Sequence, residues 1–441
     1  MKHHGWAGIE YSVEDKKYNG IIENLVAPSS NAMQGINDWR DSAAKFALFI
    51  FGIVLWHKGS AIAAGSLLIL VWILCGGLRQ IKSVIKESLA VAILSFCGVL
   101  LLGILWSDYP SSDRFRWDKY FGLMIFIPYL FLLNKDRLAW AVGGLTIGYF
   151  GILLIGRYYQ FFLGVPGIPP LKMAYLHYSM GLGIGVLLAI YWAGISESRR
   201  VVILMSMVAS FLLFIQFNLS GRGPLLATCT TIIPLLFLLY RHQLKKLLSS
   251  LAVVTFMVVT FAYHSSVFQD RFSQIDTELI QSEQGENQTN VGLRRAFYEI
   301  GLNAIAQRPW FGHGTGMAQK AFAETVEVYQ GGRFKDVASS YHLHYHNDLI
   351  EMGVYLGLLG ISAYLFLLWG WFQSLRVRGL AILGATLVCF IFMAGLTDVI
   401  LIYGQIPSLL LAITAIAILS AASYLLRLDH LHPTHLLLPR V

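Results

Sequence analysis

Apolar runs as long as a bilayer crossing recur along almost the whole chain, and this recurrence limits the fold more than any motif does. A helix needs about 20 apolar residues to cross a hydrocarbon core. Twelve such runs can be drawn, over roughly 42–57, 60–77, 88–106, 119–133, 138–156, 177–195, 200–218, 222–240, 247–264, 349–372, 379–398 and 406–426. Only 13% of the 441 residues are charged and 56% are hydrophobic, against about 25% charged in soluble domains. The expected fold is therefore an all-α integral membrane protein with about twelve transmembrane helices. Its expected partners include membrane lipids and no nucleic acid.

The runs divide the chain into a polar N-terminal segment 1–41, spans one to nine over 42–264, a long loop over 265–348, spans ten to twelve over 349–426, and a tail over 427–441. Segment 1–41 lacks the apolar core of a signal peptide, so it is expected to stay uncleaved. The net charge of +8 is read first as loop topology, since Lys and Arg in short loops mark the cytoplasmic side. With the N-terminus cytoplasmic, every inside loop is basic: Arg79, Lys82 and Lys86; Lys135 and Arg137; Arg199 and Arg200; Arg241, Lys245 and Lys246; Arg376 and Arg378. Both termini are then expected in the cytoplasm and loop 265–348 on the outer face. The cysteines Cys75, Cys97, Cys229 and Cys389 each lie inside an apolar run and read as small packing residues.

One short outer loop departs from the charge rule. Trp106 to Pro110 leads into Arg114, Arg116, Trp117 and Lys119. Either Asp108, Asp113 and Asp118 neutralise these cations locally, or an anion binds there.

Three further clusters could carry chemistry. The first is Ser220-Gly221-Arg222-Gly223-Pro224. Pro224 fits a first helical turn, which puts Arg222 at the outward N-terminus of a helix. Such an end favours anions, and a guanidinium is a good fork for phosphate oxygens. An interfacial arginine merely snorkelling is the plain alternative. The second cluster is Gly292-Leu293-Arg294-Arg295, followed by Tyr298 and by Pro309 and Gly312-His313-Gly314. Adjacent residues on a helix point about 100° apart, so one arginine can face the membrane and the other solvent; spacing does not say which. The third is Tyr341-His342-Leu343-His344-Tyr345-His346-Asn347-Asp348, just before the tenth run. An imidazole can take a proton near neutral pH. If the segment is extended, three alternate histidines could hold a metal, but no Asp-x-Asp acid cluster stands nearby. Gly353, Gly357 and Gly360 follow at near-helical spacing, as on a face that packs a neighbouring helix.

The long loop is partly helical by pattern. Residues 292–307 place Leu293, Phe297, Ile300, Ala304 and Ile305 on one face. Pro309 stops that helix, Gly312, Gly314 and Gly316 make a turn, and 317–328 suits a second helix. Residues 282–290 are polar and expected to be mobile.

Together the motifs resemble the O-antigen ligase family, within the wider group that includes O-antigen polymerases and protein O-oligosaccharyltransferases. The resemblance spans roughly residues 90–425. It rests on Ser220-Gly221-Arg222-Gly223, on Gly292-Leu293-Arg294 with Tyr298, on Pro309-Trp310-Phe311-Gly312-His313-Gly314, and on His346-Asn347 leading to Gly357-Leu358-Leu359-Gly360. It departs from the pattern at Tyr298, where Trp is usual, and at Tyr355, where an acid often stands.

The resemblance implies a membrane glycosyltransferase (GT-C) fold and a metal-independent reaction with no cofactor. In that reaction a glycan passes from undecaprenyl pyrophosphate to the lipid A-core oligosaccharide at the periplasmic face of the inner membrane. It selects Arg294 over Arg295, and His346 over His342 and His344. His346 becomes the implied general base, and Arg222 and Arg294 the implied pyrophosphate-binding pair. Arg116 and Lys119 are weaker additions, Asn347 an orienting or sugar-binding residue, and His344 an acceptor contact. A polymerase or protein oligosaccharyltransferase would share the same residues. A flippase for a lipid-linked anion would instead call for broken helices and charges near mid-membrane.

Overall fold

Leucine-, isoleucine- and phenylalanine-rich runs fold as helices because in lipid a backbone must satisfy its own hydrogen bonds. The computed structural model describes residues 34–108, 117–165, 167–340 and 344–431. Arg116 and His342 therefore lie outside the described residues. In chain order the main helices are α1 (Gln34–Val54), α2 (Lys58–Leu74), α3 (Ser88–Leu102), α4 (Phe126–Leu132), α5 (Lys135–Leu163), α6 (Tyr175–Ile195), α7 (Arg199–Phe217), α8 (Arg222–Tyr240), α9 (Leu244–His264), α10 (Ser266–Glu283), α11 (Asn290–Gln307), α12 (Ala318–Val328), α13 (Asp348–Arg376), α14 (Ala381–Gly395) and α15 (Gln405–Leu431). Among the described residues, Gly167–Ile168 and Met173–Ala174 form one antiparallel two-residue hairpin.

Among the described residues eight helices are long and apolar enough to cross a membrane, and α2 and α14 are shorter apolar helices. The chain is an all-α, multi-pass membrane protein. The run expected as a regular span over 119–133 is different in kind. Trp117–Ile125 is a 3₁₀ helix that continues into α4. At about 2.0 Å per residue in the 3₁₀ part and 1.5 Å in the α part, sixteen residues still reach roughly 28 Å.

Small residues set how closely the helices approach. α1 meets α5 where Gly52, Gly144 and Gly148 face one another. A Cβ on Gly144 would lie 2.2 Å from Phe49 O, and one on Gly148 2.4 Å from Gly52 O. α3 and α13 meet where a Cβ on Gly370 would lie 2.4 Å from Ala92 Cβ. At the far end of this pair, Arg378 binds Glu87 with both guanidinium nitrogens, at 2.5 and 3.1 Å, and both residues are buried. Arg378 was expected among the basic residues of a short loop; it is instead a buried partner tying α3 to the end of α13. Ser374 Oγ adds a hydrogen bond to Glu87 of 2.6 Å, so the carboxylate is well satisfied.

α13 is the element that positions the candidate site, and it is broken. Gly357 has φ +60° and ψ −144°, a backbone region essentially reserved for glycine. The break frees carbonyls before it and N–H groups after it, which lipid cannot satisfy. The turn Pro309–Gly316 supplies the partners. Leu358 N–H donates to Pro309 O at 2.7 Å and Leu359 N–H to Trp310 O at 3.3 Å; His313 N–H donates to Val354 O at 2.9 Å and Gly314 N–H to Tyr355 O at 2.8 Å. Gly357 and Gly312 have no room for a Cβ against each other's segments. Of the glycines read in sequence as a helix-packing face, Gly353 packs on Ile305 of α11, where a Cβ would lie 2.5 Å away, whereas Gly357 marks a helix interruption plugged by the long loop.

The long loop is more ordered than its composition suggests. α11 and α12 form where the pattern predicts them, with Ala296, Phe297, Ile300 and Ala304 buried. Thr289 caps α11 by accepting from Gly292 N–H at 3.1 Å. Residues 282–290, expected to be mobile, are tied down. Ser282 Oγ donates to Asn287 Oδ1 at 3.0 Å, Asn287 N–H to Asp336 at 3.0 Å, and Val291 N–H to Glu278 at 3.0 Å. Polar composition misleads here because the polar atoms bond to one another.

Candidate active site

His346 sits one residue before the N-cap of α13, and the chain turns sharply there. Its φ is +52°, a left-handed conformation that costs a non-glycine residue about 1–2 kcal/mol. The turn aims the imidazole at a segment fifty-two positions later. His346 Nδ1–H donates to Asp398 Oδ1 at 3.0 Å. Asp398 follows α14 and is 3% exposed, whereas the His346 side chain is 33% exposed. The acid is thus sealed and the imidazole reachable.

The surrounding hydrogen bonds fit one set of tautomers. Tyr403 O–H donates to Asp398 at 3.1 Å. His344 Nε2–H then donates to the Tyr403 oxygen at 3.1 Å, which leaves His344 Nδ1 to accept from His346 N–H at 3.3 Å. His346 spends Nδ1–H on Asp398, so Nε2 carries the lone pair, as a general base requires. The Phe297 ring lies parallel to the imidazole at 5.8 Å, and the His177 ring packs on Tyr403 at 4.1 Å. Burial alone would push the Asp398 carboxyl up. The hydrogen bond from His346, the electrostatic effect of the two imidazoles and the Val399 N–H outweigh it and hold the carboxyl down at about 2.

Two side chains clip the two segments of this pair together. Tyr298 O–H lies 2.5 Å from Leu396 O and 3.4 Å from His346 O. Asn347 donates to Leu396 O at 3.3 Å and, as N-cap, accepts from Leu349 and Ile350 N–H at 3.0 and 3.2 Å. Asn347 is buried and its amide is used on both sides, toward Leu396 and toward the first turn of α13. Tyr298, in the place where tryptophan is usual for the resembled family, uses its hydroxyl for a bond that an indole N–H could also donate. Asp348, 1% exposed, accepts from Tyr364 O–H at 3.4 Å.

The arginines come in from two other elements. Arg222 is the first residue of α8, behind Gly221, as expected from Pro224. The neighbouring Gly223 packs on the residue before Asp398: a Cβ there would lie 2.5 Å from Thr397 Oγ1. Arg294 stands one turn before Tyr298 on α11, and Arg294, Arg271 and Glu278 all act electrostatically on Arg222. Arg295 pairs with Glu299 at 2.9 Å, whereas Arg294 makes no ion pair among the described residues. Arg271, on α10, adds a positive charge that motif spacing does not flag. His344 is brought to the site but is buried behind His346. Lys119 is exposed on the 3₁₀ helix before α4. His313 serves the fold, with its ring against Ala304 O at 2.9 Å.

Asp398, Tyr403 and His177 are absent from the sequence reading. The lone acid at the end of the run 379–398 was the available signal for Asp398. An acid does stand beside the histidines, against expectation. Ligand atoms of His344, His346 and Asp398 lie within 4.8 Å of one another, close enough to hold an ion if the hydrogen bonds gave way.

Residues 207–365 match the family model described as O-antigen ligase. That segment carries Arg222, Arg294 and His346. This segment of the chain is similar to the O-antigen ligase family. It is also 30% identical over 203 residues to an O-antigen ligase of Escherichia coli (strain K12), an alignment that covers 45% of this chain and 46% of that protein. The chain therefore aligns with about half the length of this relative. The family segment ends inside α13, so Asp398, Tyr403 and His177 lie outside it.

Proposed function

We propose that the chain is a metal-independent glycosyltransferase that moves a glycan from undecaprenyl pyrophosphate to the lipid A-core oligosaccharide, the ligation step in lipopolysaccharide biosynthesis. The observation that carries this reading is the His346–Asp398 pair, with a bare Nε2, beside Arg222 and Arg294. The acceptor hydroxyl gives its proton to His346 Nε2 while its oxygen forms a bond to the anomeric carbon. The bond from that carbon to the pyrophosphate oxygen breaks, and the electron pair leaves with undecaprenyl pyrophosphate. Arg222 and Arg294, with the N-terminus of α8, stabilise the charge that develops on the leaving group. Asp398 keeps the imidazole oriented and stabilises it once protonated.

The chain would lie in the inner membrane with both termini cytoplasmic, twelve spans of GT-C type, and the site at the periplasmic face under loop 265–348. The basic loops opposite the site support that orientation. The same residues would serve a polymerase or a protein oligosaccharyltransferase, which differ in acceptor. A flippase is disfavoured: the break in α13 is filled by the loop turn and does not line an ion path. To test the function, purified protein is incubated with undecaprenyl-pyrophosphate glycan and lipid A-core, a protein acceptor or no acceptor. Glycan on lipid A-core is the expected product. Glycan appearing only on protein, or only as lengthened donor, would overturn the ligase reading.

A further inference from the structure

The carboxylate behind His346 faces two imidazoles. Asp398 Oδ1 lies 3.0 Å from His346 Nδ1 and 3.7 Å from His344 Nδ1, and ligand atoms of all three residues lie within 4.8 Å of one another. A tetrahedral ion with ligands at about 2.0–2.1 Å sets them roughly 3.3 Å apart. The two measured distances straddle that edge, so small shifts would complete three corners. His344 is already in the tautomer an ion needs. It spends Nε2–H on the Tyr403 oxygen at 3.1 Å, which leaves a lone pair on Nδ1. The bond that Nδ1 would give up, from His346 N–H, is long at 3.3 Å. Tyr403 O–H and Val399 N–H brace Asp398 at 3.1 and 2.9 Å, as outer-shell groups brace the ligands of metal sites. The His344 and Asp398 side chains are 3% exposed and that of His346 33%, so an ion enters past His346. Two imidazoles and one carboxylate suit Zn²⁺; Mg²⁺ demands octahedral oxygen ligands.

We infer that His344, His346 and Asp398 form an inhibitory Zn²⁺ site, which takes the ion through both Nδ1 atoms and one carboxylate oxygen and leaves a fourth position to water. Inhibition follows from a change of tautomer. Zn²⁺ takes the Nδ1 lone pair of His346, the Nδ1 proton passes to water, and Nε2 takes a proton from water. The imidazole stays neutral, and Nε2 has no lone pair left for an acceptor hydroxyl. Zn²⁺ thus disarms the base without engaging Arg222 or Arg294. Binding rests on the geometry alone; the inhibition rests on His346 Nε2 being the base of the proposed reaction.

Two measurements test it in the purified full chain. First, Co²⁺ is titrated in as a coloured stand-in for Zn²⁺, without donor. The visible d–d bands of a tetrahedral ion, displaced by Zn²⁺, are expected from the unaltered chain. His344→Gln removes a ligand and should weaken Co²⁺ by more than the roughly 10–100-fold that loss of an outer-shell partner costs. Histidines elsewhere, such as His3, His4, His432 and His435, are common to both proteins and cancel in the comparison. Equal affinity of the two proteins overturns the site. Should His344→Gln not fold, Tyr403→Phe decides: it keeps every ligand and should weaken Co²⁺ about 10–100-fold, and unchanged affinity overturns the site. Second, saturating Zn²⁺ should lower kcat by about 10²–10⁴, the worth of a general base. KM for the lipid donor should stay unchanged, EDTA should restore the rate, and Mg²⁺ should not inhibit. A raised donor KM at constant kcat, the mark of Zn²⁺ held by the pyrophosphate, overturns the assignment. So does equally strong inhibition of the residual transfer by His344→Gln. If the unaltered chain transfers no glycan, the functional reading fails, and the Co²⁺ titration alone decides the site.

Discussion

His346 holds a backbone conformation that a histidine rarely adopts, and the surrounding clips explain how it is kept there. Tyr298, Asn347 and the Asp398 carboxylate each fix one side of the turn. Replacing Asp398 by Asn keeps the shape but favours the wrong imidazole tautomer. Asp398→Asn is predicted to lower kcat by about 10²–10⁴ with little change in KM for the lipid donor, since the arginines remain; near-normal turnover would remove Asp398 from its positioning role. The pH dependence follows in sign. A carboxyl held at about 2 is below its ordinary value near 3.9, so the stability it contributes is complete above about 4 and is lost as pH falls toward 2. At this scale the motifs make Arg222, Arg294 and His346 visible in sequence. Asp398, Tyr403 and His177 are not, because nothing local says that a turn fifty residues downstream will fold back on the histidines.

At the scale of the element, α13 and the Pro309–Gly316 turn form one unit. The turn supplies both donors and acceptors to the break at Gly357. Gly357→Ala would force a Cβ to within 2.4 Å of Pro309 O in a conformation closed to alanine. It is predicted to cost about 1–3 kcal/mol and to expose the turn to limited proteolysis. Gly98→Ala on α3, with no atom within 4 Å of the added Cβ, should leave melting unchanged or slightly raised. Equal thermal stability and protease resistance of Gly357→Ala and the unaltered chain would contradict the plug. The amphipathic period of α11 is legible because helix faces are written at a local spacing. The break is not, since glycine spacing alone fits both a helix-packing face and an interruption. The order of residues 282–290 is equally hidden, because it depends on Asp336 across the loop.

At the scale of the molecule, the apolar runs announce a membrane protein, and among the described residues eight helices are long and apolar enough to cross a bilayer. Run counting cannot tell that Trp117–Leu132 is largely 3₁₀, or that Arg378 is buried on Glu87 rather than exposed in a loop. Those outcomes depend on which helices become neighbours. The assembled molecule joins the reachable His346 imidazole to its buried acid, with Arg222 and Arg294 on two separate elements. His344, His346 and Asp398 are also close enough to hold an ion, so the decisive question is whether the site works by hydrogen bonds alone. The direct measurement is glycan transfer by the purified full chain from undecaprenyl-pyrophosphate glycan to lipid A-core, with and without excess EDTA. Transfer that continues at an unchanged rate is predicted. Transfer abolished by EDTA and restored by Mg²⁺ or Mn²⁺ would contradict a metal-independent His346–Asp398 base.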